Sequence, residues 1–179
     1  MSKVDEEHIC KNVFIGKTDV SGMTKEEAVK AVNNTLGDYR NKQLVLKVKD
    51  QGADVSIEEM GAEVENIDKL AEKAVEYGKN GSIWSRYQKI HNLDKKKYVI
   101  DESFKVDEAK LRELIQERAV PLEQKAVNAS ASYNGSGFDL TDEAEGYTVD
   151  VDKSVKKIKN FMNKKWNYED AEVELKLDT

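Results

Sequence analysis

The chain has 179 residues, enough for one sizeable hydrophobic core or two small ones in tandem. Hydrophobic residues make up 39% and charged residues 36%, so the sequence belongs with polar globular proteins and not with disordered ones. The 29 Lys and Arg against 35 Asp and Glu give a net charge of -6, which disfavours any partner held by its phosphates. We therefore expect a folded protein that does not bind nucleic acid.

The first predicted elements are a strand and a helix that follow a polar N-terminal segment. Residues 1–12 have no core pattern, and we expect them to be disordered or a remnant of the expression vector. A strand is predicted over Val13–Val20. Thr24 followed by Glu27 has the spacing of a capping box, which predicts a helix over Lys25–Leu36.

A hairpin and two further helices are predicted next. Alternating apolar residues over Leu44–Val48 predict a strand, and a polar turn leads to a second strand that ends near Ile57. Helical spacing of apolar residues then predicts helices over Ile67–Tyr77 and Ser82–Leu93. Gly78 is placed to close the first of these helices.

The second half of the chain repeats this alternation of strands and helices. The predicted elements are strand Tyr98–Ile100, helix Asp107–Ala119, strand Ala126–Tyr133, a turn at Asn134-Gly135, strand Phe138–Leu140, helix Val151–Lys164 and a closing strand over Val173–Leu177. The order strand, glycine, helix occurs around Gly61 and again around Gly146, which indicates a duplicated unit. In these units Asp68 and Asp152 are expected to cap their helices.

Together these elements predict an α+β fold, with mixed, mainly antiparallel sheets and amphipathic helices packed on them. We place a boundary between residues 94 and 95. Residues 13–94 would form a first α+β subdomain, and residues 95–179 a second one packed closely on the first.

The residue types offer no catalytic constellation. The only histidines are His8 and His91, neither with a recognisable acidic partner, and Cys10 is the single cysteine. An acid pair that hydrolyses glycan is an alternative, but such acids usually lie in an aromatic cleft and the aromatic residues here are scattered. We expect no enzyme activity, no cofactor and no metal. No apolar run approaches the ~18–20 residues that span a bilayer, so this chain itself should not enter a membrane.

The best candidate binding patch is the segment that contains Trp84, Arg86 and Tyr87. Aromatic faces pack against sugar C–H groups, and the planar guanidinium of arginine can hold a carboxylate. The alternative is that Trp84 and Tyr87 cover the preceding helix as part of the core. Trp166 and Tyr168 have the same two interpretations.

Several segments together resemble a known family. They are Val13–Ala28 (VFIGKTDVSGMTKEEA), Glu59–Gly61, Ala74–Gly81 (AVEYGKNG), Phe138–Leu140 and Gly146–Asp150. In order and spacing these segments resemble the peptidoglycan-binding domain that precedes the catalytic or VanW domain in VanW-type proteins and multidomain L,D-transpeptidases. The resemblance covers nearly the whole chain.

The resemblance implies a non-catalytic part of an extracytoplasmic protein of a Gram-positive-type bacterium, tethered by an upstream membrane segment. Its ligand would be peptidoglycan or its stem peptides, and it would position a downstream catalytic or VanW domain. Lys79 is a further candidate binding residue, although it stands where the family usually has arginine. The alternative is a structural spacer or stalk without glycan affinity.

Overall fold

The computed structural model describes residues 6–179 and confirms the α+β fold class. The helices are α1 (Lys25–Asp38), α2 (Ile67–Glu76), α3 (Ile83–Leu93), α4 (Glu108–Leu114) and α5 (Val151–Lys164). The strands are β1 (Val13–Ile15), β2 (Thr18–Asp19), β3 (Gln43–Val48), β4 (Gln51–Ser56), β5 (Glu63–Val64), β6 (Tyr98–Ile100), β7 (Phe104–Lys105), β8 (Ser130–Tyr133), β9 (Phe138–Thr141), β10 (Thr148–Val149), β11 (Ala171–Glu174) and β12 (Leu177–Asp178). Among the described residues, no helix is long and apolar enough to cross a bilayer.

The strands form small sheets that are mixed and mainly antiparallel, as predicted. Two sheets have three strands, in the orders β2-β1-β6 and β11-β3-β4. Each contains one parallel pair, β1 with β6 and β11 with β3. The other strand pairs in the described chain are antiparallel: β1 with β2, β3 with β4, β5 with β7, β8 with β9 and β10 with β12.

The contacts divide the chain into two compact units, each assembled from separate segments. The first unit runs to Arg40 and resumes over Glu63–Lys105. The second consists of Asn41–Ala62 and Val106–Thr179. The boundary between residues 94 and 95, with an α+β subdomain on each side of it, stays a prediction.

In the first unit, α1 begins where its sequence predicts. The Thr24 hydroxyl accepts a hydrogen bond from the Glu27 N–H at 3.3 Å, and the Glu27 carboxylate accepts one from the Thr24 N–H at 2.9 Å. This reciprocal capping box satisfies two backbone donors that a helix start otherwise leaves unpaired. The helix contacts α2 and buries Ala28, Val32 and Leu36.

The segment before β1 has fixed contacts in its described part, although its sequence predicts disorder. Ile9 is 3% exposed and donates its N–H to the carbonyl of Met23. Cys10 is half-buried, with its sulfur 3.5 Å from the carbonyl oxygen of Tyr77. The expectation for residues 1–5 lies outside the described residues.

The second unit has its core between sheet β11-β3-β4 and α5. Alternation along β3 buries Leu44, Leu46 and Val48, as predicted from the sequence. Helix α5 contacts β11 and buries Val155, Ile158 and Met162. Trp166 and Tyr168 are 6% and 3% exposed, which identifies them as core residues and not as a binding surface.

The helix predicted over Asp107–Ala119 changes its geometry halfway. It is α-helical only to Leu114, and a π-helical turn over Ile115–Ala119 and a short 3₁₀ turn follow. The Val120 N–H bonds to the Ile115 carbonyl, which is the i to i+5 spacing of a π-turn. Pro121 explains the ending, because proline has no N–H and its ring clashes with the carbonyl four residues earlier.

The predicted caps Asp68 and Asp152 are wrong. The N-cap of α2 is Asn66, which makes no side-chain cap bond, and α5 is capped by Asp150, whose carboxylate accepts from the Lys153 N–H at 2.9 Å. Both predicted residues instead lie in the first turn of their helices, where the helix dipole stabilises a negative charge. The pattern located the helix starts but not the capping residues.

Strands β8 and β9 form the outer part of a long hairpin over residues 124–147. The bridges Val127 to Ala144 and Gln124 to Tyr147 continue the register of β8 and β9 without an offset. At its base the arms come so close that a Cβ on Gly146 would lie 2.4 Å from the backbone nitrogen of Ala126. The strand predicted from Ala126 is regular only from Ser130 onwards.

A bidentate ion pair links the residues just after β4 to the π-helical turn. The guanidinium of Arg118 donates to both carboxylate oxygens of Glu59, at 3.0 and 2.5 Å, and to the carbonyl of Asp54 at 2.8 Å. The Ser56 N–H also donates to the Glu59 carboxylate. The Arg118 hydrogen bonds, with that backbone donor, lower the pKa of Glu59 from 4.5 to about 2.

Replacing Glu59 by Gln should therefore destabilise the protein in a pH-dependent way. Because the folded-state pKa lies below the usual one, the stabilisation is complete above about pH 4.5 and is lost as the pH falls towards 2. We expect the free energy of unfolding to fall by about 1 kcal/mol at pH 7, a modest cost because the pair is partly exposed. Urea titrations from pH 2 to 7 measure it. Glu58→Gln, at the exposed neighbouring residue, is the control, and a pH-independent difference for Glu59→Gln would contradict the assignment.

Replacing Thr24 by Ala should cost about 1 kcal/mol of the free energy of unfolding, because the N–H of Glu27 loses its acceptor. Thr24→Ser keeps the hydroxyl and should retain most of the stability. Urea unfolding followed by circular dichroism compares the three proteins. Equal losses for Ala and Ser would mean that the methyl group, and not the cap, is responsible.

Candidate functional site

The segment Ala74–Gly81, which resembles the family, forms the turn that fixes where α3 begins. Gly78 and Gly81 have φ of +79° and +101°, values that favour glycine. A Cβ on Gly78 would also come within 3.2 Å of Ile90. The hydroxyl of Ser82 then accepts from the Ser85 N–H at 3.2 Å and caps α3. This segment therefore ends α2 and sets where α3 begins.

One face of α3 is anchored in the first unit. Leu93 is 2% exposed, and its carbonyl accepts a hydrogen bond from the side-chain amide of Asn12 at 3.0 Å. Ile90 is half-buried against Gly78. The helix is thus held by the face that carries residues 90 and 93.

The opposite face presents three ring side chains to solvent. Trp84 and Tyr87 are 68% and 59% exposed, with ring centroids 6.1 Å apart and planes 23° from parallel. Tyr87 lies 5.8 Å from His91, with planes 4° apart. We call these three residues the aromatic row. The alternative in which Trp84 and Tyr87 cover the preceding helix as core is wrong, because both rings face water.

The two cationic candidates occupy different settings. Arg86 is half-buried on α3, one residue before Tyr87. Lys79 lies in the turn before the helix, and its ammonium group donates to the carbonyl of His8 at 2.5 Å. The structure therefore joins Trp84 and Tyr87 in one surface and ties Lys79 to the N-terminal segment.

The chain around α3 is basic although the protein as a whole is acidic. Residues 79–97 contain six Lys and Arg and one acid, Asp94. The Lys11 ammonium forms an ion pair with that carboxylate, and this hydrogen bond lowers the pKa of Asp94. The aromatic row thus belongs to a segment with a net positive charge, which favours an anionic partner.

A small cleft lies beside the C-terminal end of α3, and the sequence did not predict it. It has a volume of about 380 Å³ and is lined by Tyr77, Asn92, Leu93, Lys96, Lys97, Tyr98 and Val99. The rings of Tyr77 and Tyr98 stack at 3.8 Å between centroids. Burial is the main cause that raises the pKa of Tyr77. No sequence motif joins these residues, because the cleft forms only when β6 meets the end of α2.

The structure gives His91 an acidic neighbour that no spacing in the sequence indicates. Its Nδ1 lies 3.8 Å from a carboxylate oxygen of Asp94, three residues further along. This distance exceeds that of a hydrogen bond, and Asp94 is also paired with Lys11. Within the described residues, no group of three or more His, Cys, Asp or Glu side chains is arranged to hold a metal ion.

Comparison with known proteins identifies one family. The model of the family described as "Putative peptidoglycan binding domain" matches residues 53–171, about two thirds of the chain. The matched region includes α3 with its aromatic row and the long hairpin. No curated protein and no solved structure matches the chain. The extent of the family match shows that the chain belongs to this family of peptidoglycan-binding domains.

Proposed function

We propose that this chain binds peptidoglycan through the aromatic row on α3. Its family indicates a cell-wall binding module with an extracytoplasmic or cell-wall location. The observation that supports the site is the exposure of Trp84 and Tyr87 in a basic segment. Exposed apolar groups that adjoin one another, as these two rings do, mark binding sites more often than single ones.

The row and the cationic residues near it offer groups for the two parts of peptidoglycan. The nearly parallel rings of Trp84 and Tyr87 offer flat apolar faces to the C–H groups of a sugar. Arg86 lies four residues before Ile90, on the anchored side of α3 and outside the row. Its guanidinium can bind a stem-peptide carboxylate beside the row with two parallel hydrogen bonds. Lys79 contributes charge, although its ammonium group already bonds to His8.

We further propose that the module positions a downstream catalytic or VanW domain of a membrane-tethered protein in a Gram-positive-type bacterium. The support is the resemblance of the five family-like segments to the region that precedes such domains. A wall-binding surface on α3 would hold the neighbouring domain close to its polymeric substrate, which raises the effective concentration of that substrate.

Replacing both Trp84 and Tyr87 by Ala should reduce retention on purified sacculi at least tenfold, because the sugar-stacking faces are lost. The comparison variant replaces Tyr133 and Phe138 by Ala, two equally exposed aromatic residues on the long hairpin, and its retention should not fall. Co-sedimentation with sacculi compares the three proteins. If the unaltered chain is retained no better than an inert protein, the chain is a spacer and not a binding module.

Replacing Arg86 by Ala should separate the peptide contribution from the glycan contribution. We expect a roughly tenfold loss of affinity for intact sacculi, because a charge-assisted hydrogen-bond pair is removed. Sacculi stripped of stem peptides by an amidase should bind the variant and the unaltered chain equally. An equal loss on both materials would assign Arg86 to the glycan or to the support of α3.

A further inference from the structure

The long hairpin over residues 124–147 carries an apolar face that is open to solvent. The register pairs Tyr133 with Phe138 and Ala131 with Leu140, so these four side chains lie on the same face. Tyr133, Phe138 and Leu140 are 67%, 69% and 76% exposed. The rings of Tyr133 and Phe138 contact each other, with centroids 5.5 Å apart.

The opposite face of the hairpin is polar. It carries the pairs Ser132 with Asp139 and Ser130 with Thr141. A two-stranded hairpin without packing on either face is marginally stable in water, and an amphipathic one gains stability when its apolar face is covered. The alternation of apolar and polar residues therefore indicates a surface that a partner covers.

Charge indicates the chemistry of that partner. Residues 124–147 contain four Asp and Glu and one lysine. By the register, Asp142 follows Phe138 and Leu140 on the apolar face, and the other three acids lie on the polar face. Two such hairpins packed together would oppose like charges, whereas a basic apolar surface would be attracted. The segment 79–97 of this same chain is such a surface, with six Lys and Arg, one acid and the exposed aromatic row.

We propose that the long hairpin of one copy of this chain docks on the aromatic row of a second copy. Tyr133, Phe138 and Leu140 would cover Trp84 and Tyr87, and the acidic hairpin would neutralise the basic segment around α3. The two surfaces differ, so the contact is head-to-tail. Like charges disfavour both symmetric alternatives, hairpin on hairpin and row on row.

The available area limits the strength of this contact. An aromatic side chain buries roughly 150–250 Å² when fully covered, and each surface offers two or three large side chains that are already partly buried. The contact would bury roughly 300–500 Å² on each copy, below the roughly 800 Å² of a standard stable interface. We therefore expect a weak, reversible association that charge screening reduces.

Sedimentation velocity on the 179-residue chain tests the association directly. At about 20 mM salt, the weight-average mass should rise above 20.3 kDa as the protein concentration increases from about 10 to 500 μM. At about 500 mM salt it should fall back towards the monomer mass. A mass of 20.3 kDa at every concentration and salt would overturn the proposal.

Paired variants identify the surfaces. The row variant Trp84→Ala/Tyr87→Ala and the hairpin variant Tyr133→Ala/Phe138→Ala should each remain monomeric alone. An equimolar mixture should form dimers that grow no further, because one intact hairpin meets one intact row. Self-association of the row variant would indicate hairpin-on-hairpin contact, and that of the hairpin variant row-on-row contact; either outcome would overturn the proposal.

Two controls complete this experiment. Ser132→Ala with Thr141→Ala, on the polar face of the hairpin, should leave the association unchanged, and far-UV circular dichroism should confirm that each variant is folded. The inference does not depend on wall binding. The hairpin variant keeps the aromatic row, so its retention on sacculi separates a failure of self-association from a failure of peptidoglycan binding.

Discussion

The left-handed backbone at Gly78 and Gly81 is the constraint on which the candidate site depends. It lets α2 end and α3 begin within a few residues, and the missing Cβ of Gly78 leaves room for Ile90. Because Ile90 and Leu93 then pack inward, the rings of α3 have to face solvent. The segment Ala74–Gly81, one of those that resemble the family, therefore orients the helix that carries the rings.

Much of the fold follows from local chemistry that the sequence displays. The capping box at Thr24 and the alternation along β3 located α1 and a central strand correctly, because each depends on residues close in sequence. The change of helix type after Leu114 was missed, since helical spacing of apolar residues does not distinguish an α-helical turn from a π-turn. The cap of α5 was misplaced by two residues because several acids stand near its start.

The candidate residues on α3 stand out in the sequence, whereas their exposure does not. Helix α3 has apolar groups on two faces, one with Trp84 and Tyr87 and one with Ile90 and Leu93, and helical spacing alone does not tell which face is buried. The hairpin presents the same difficulty. Apolar and polar residues alternate along its strands, which predicts a buried face, but Phe138 on that face is exposed. Only tertiary contacts decide these cases. They also create the cleft between Tyr77 and Tyr98, which no linear pattern marks.

The close approach of Gly146 to Ala126 has a mechanical consequence. After Gly146 the chain continues directly into β10 and then, through Asp150, into α5. No linker separates the hairpin from these elements. A load applied at the hairpin tip would therefore reach the core of the second unit through paired backbone. Any side chain at position 146 would force the two arms apart. This glycine therefore allows the close pairing that connects the hairpin rigidly to the second unit.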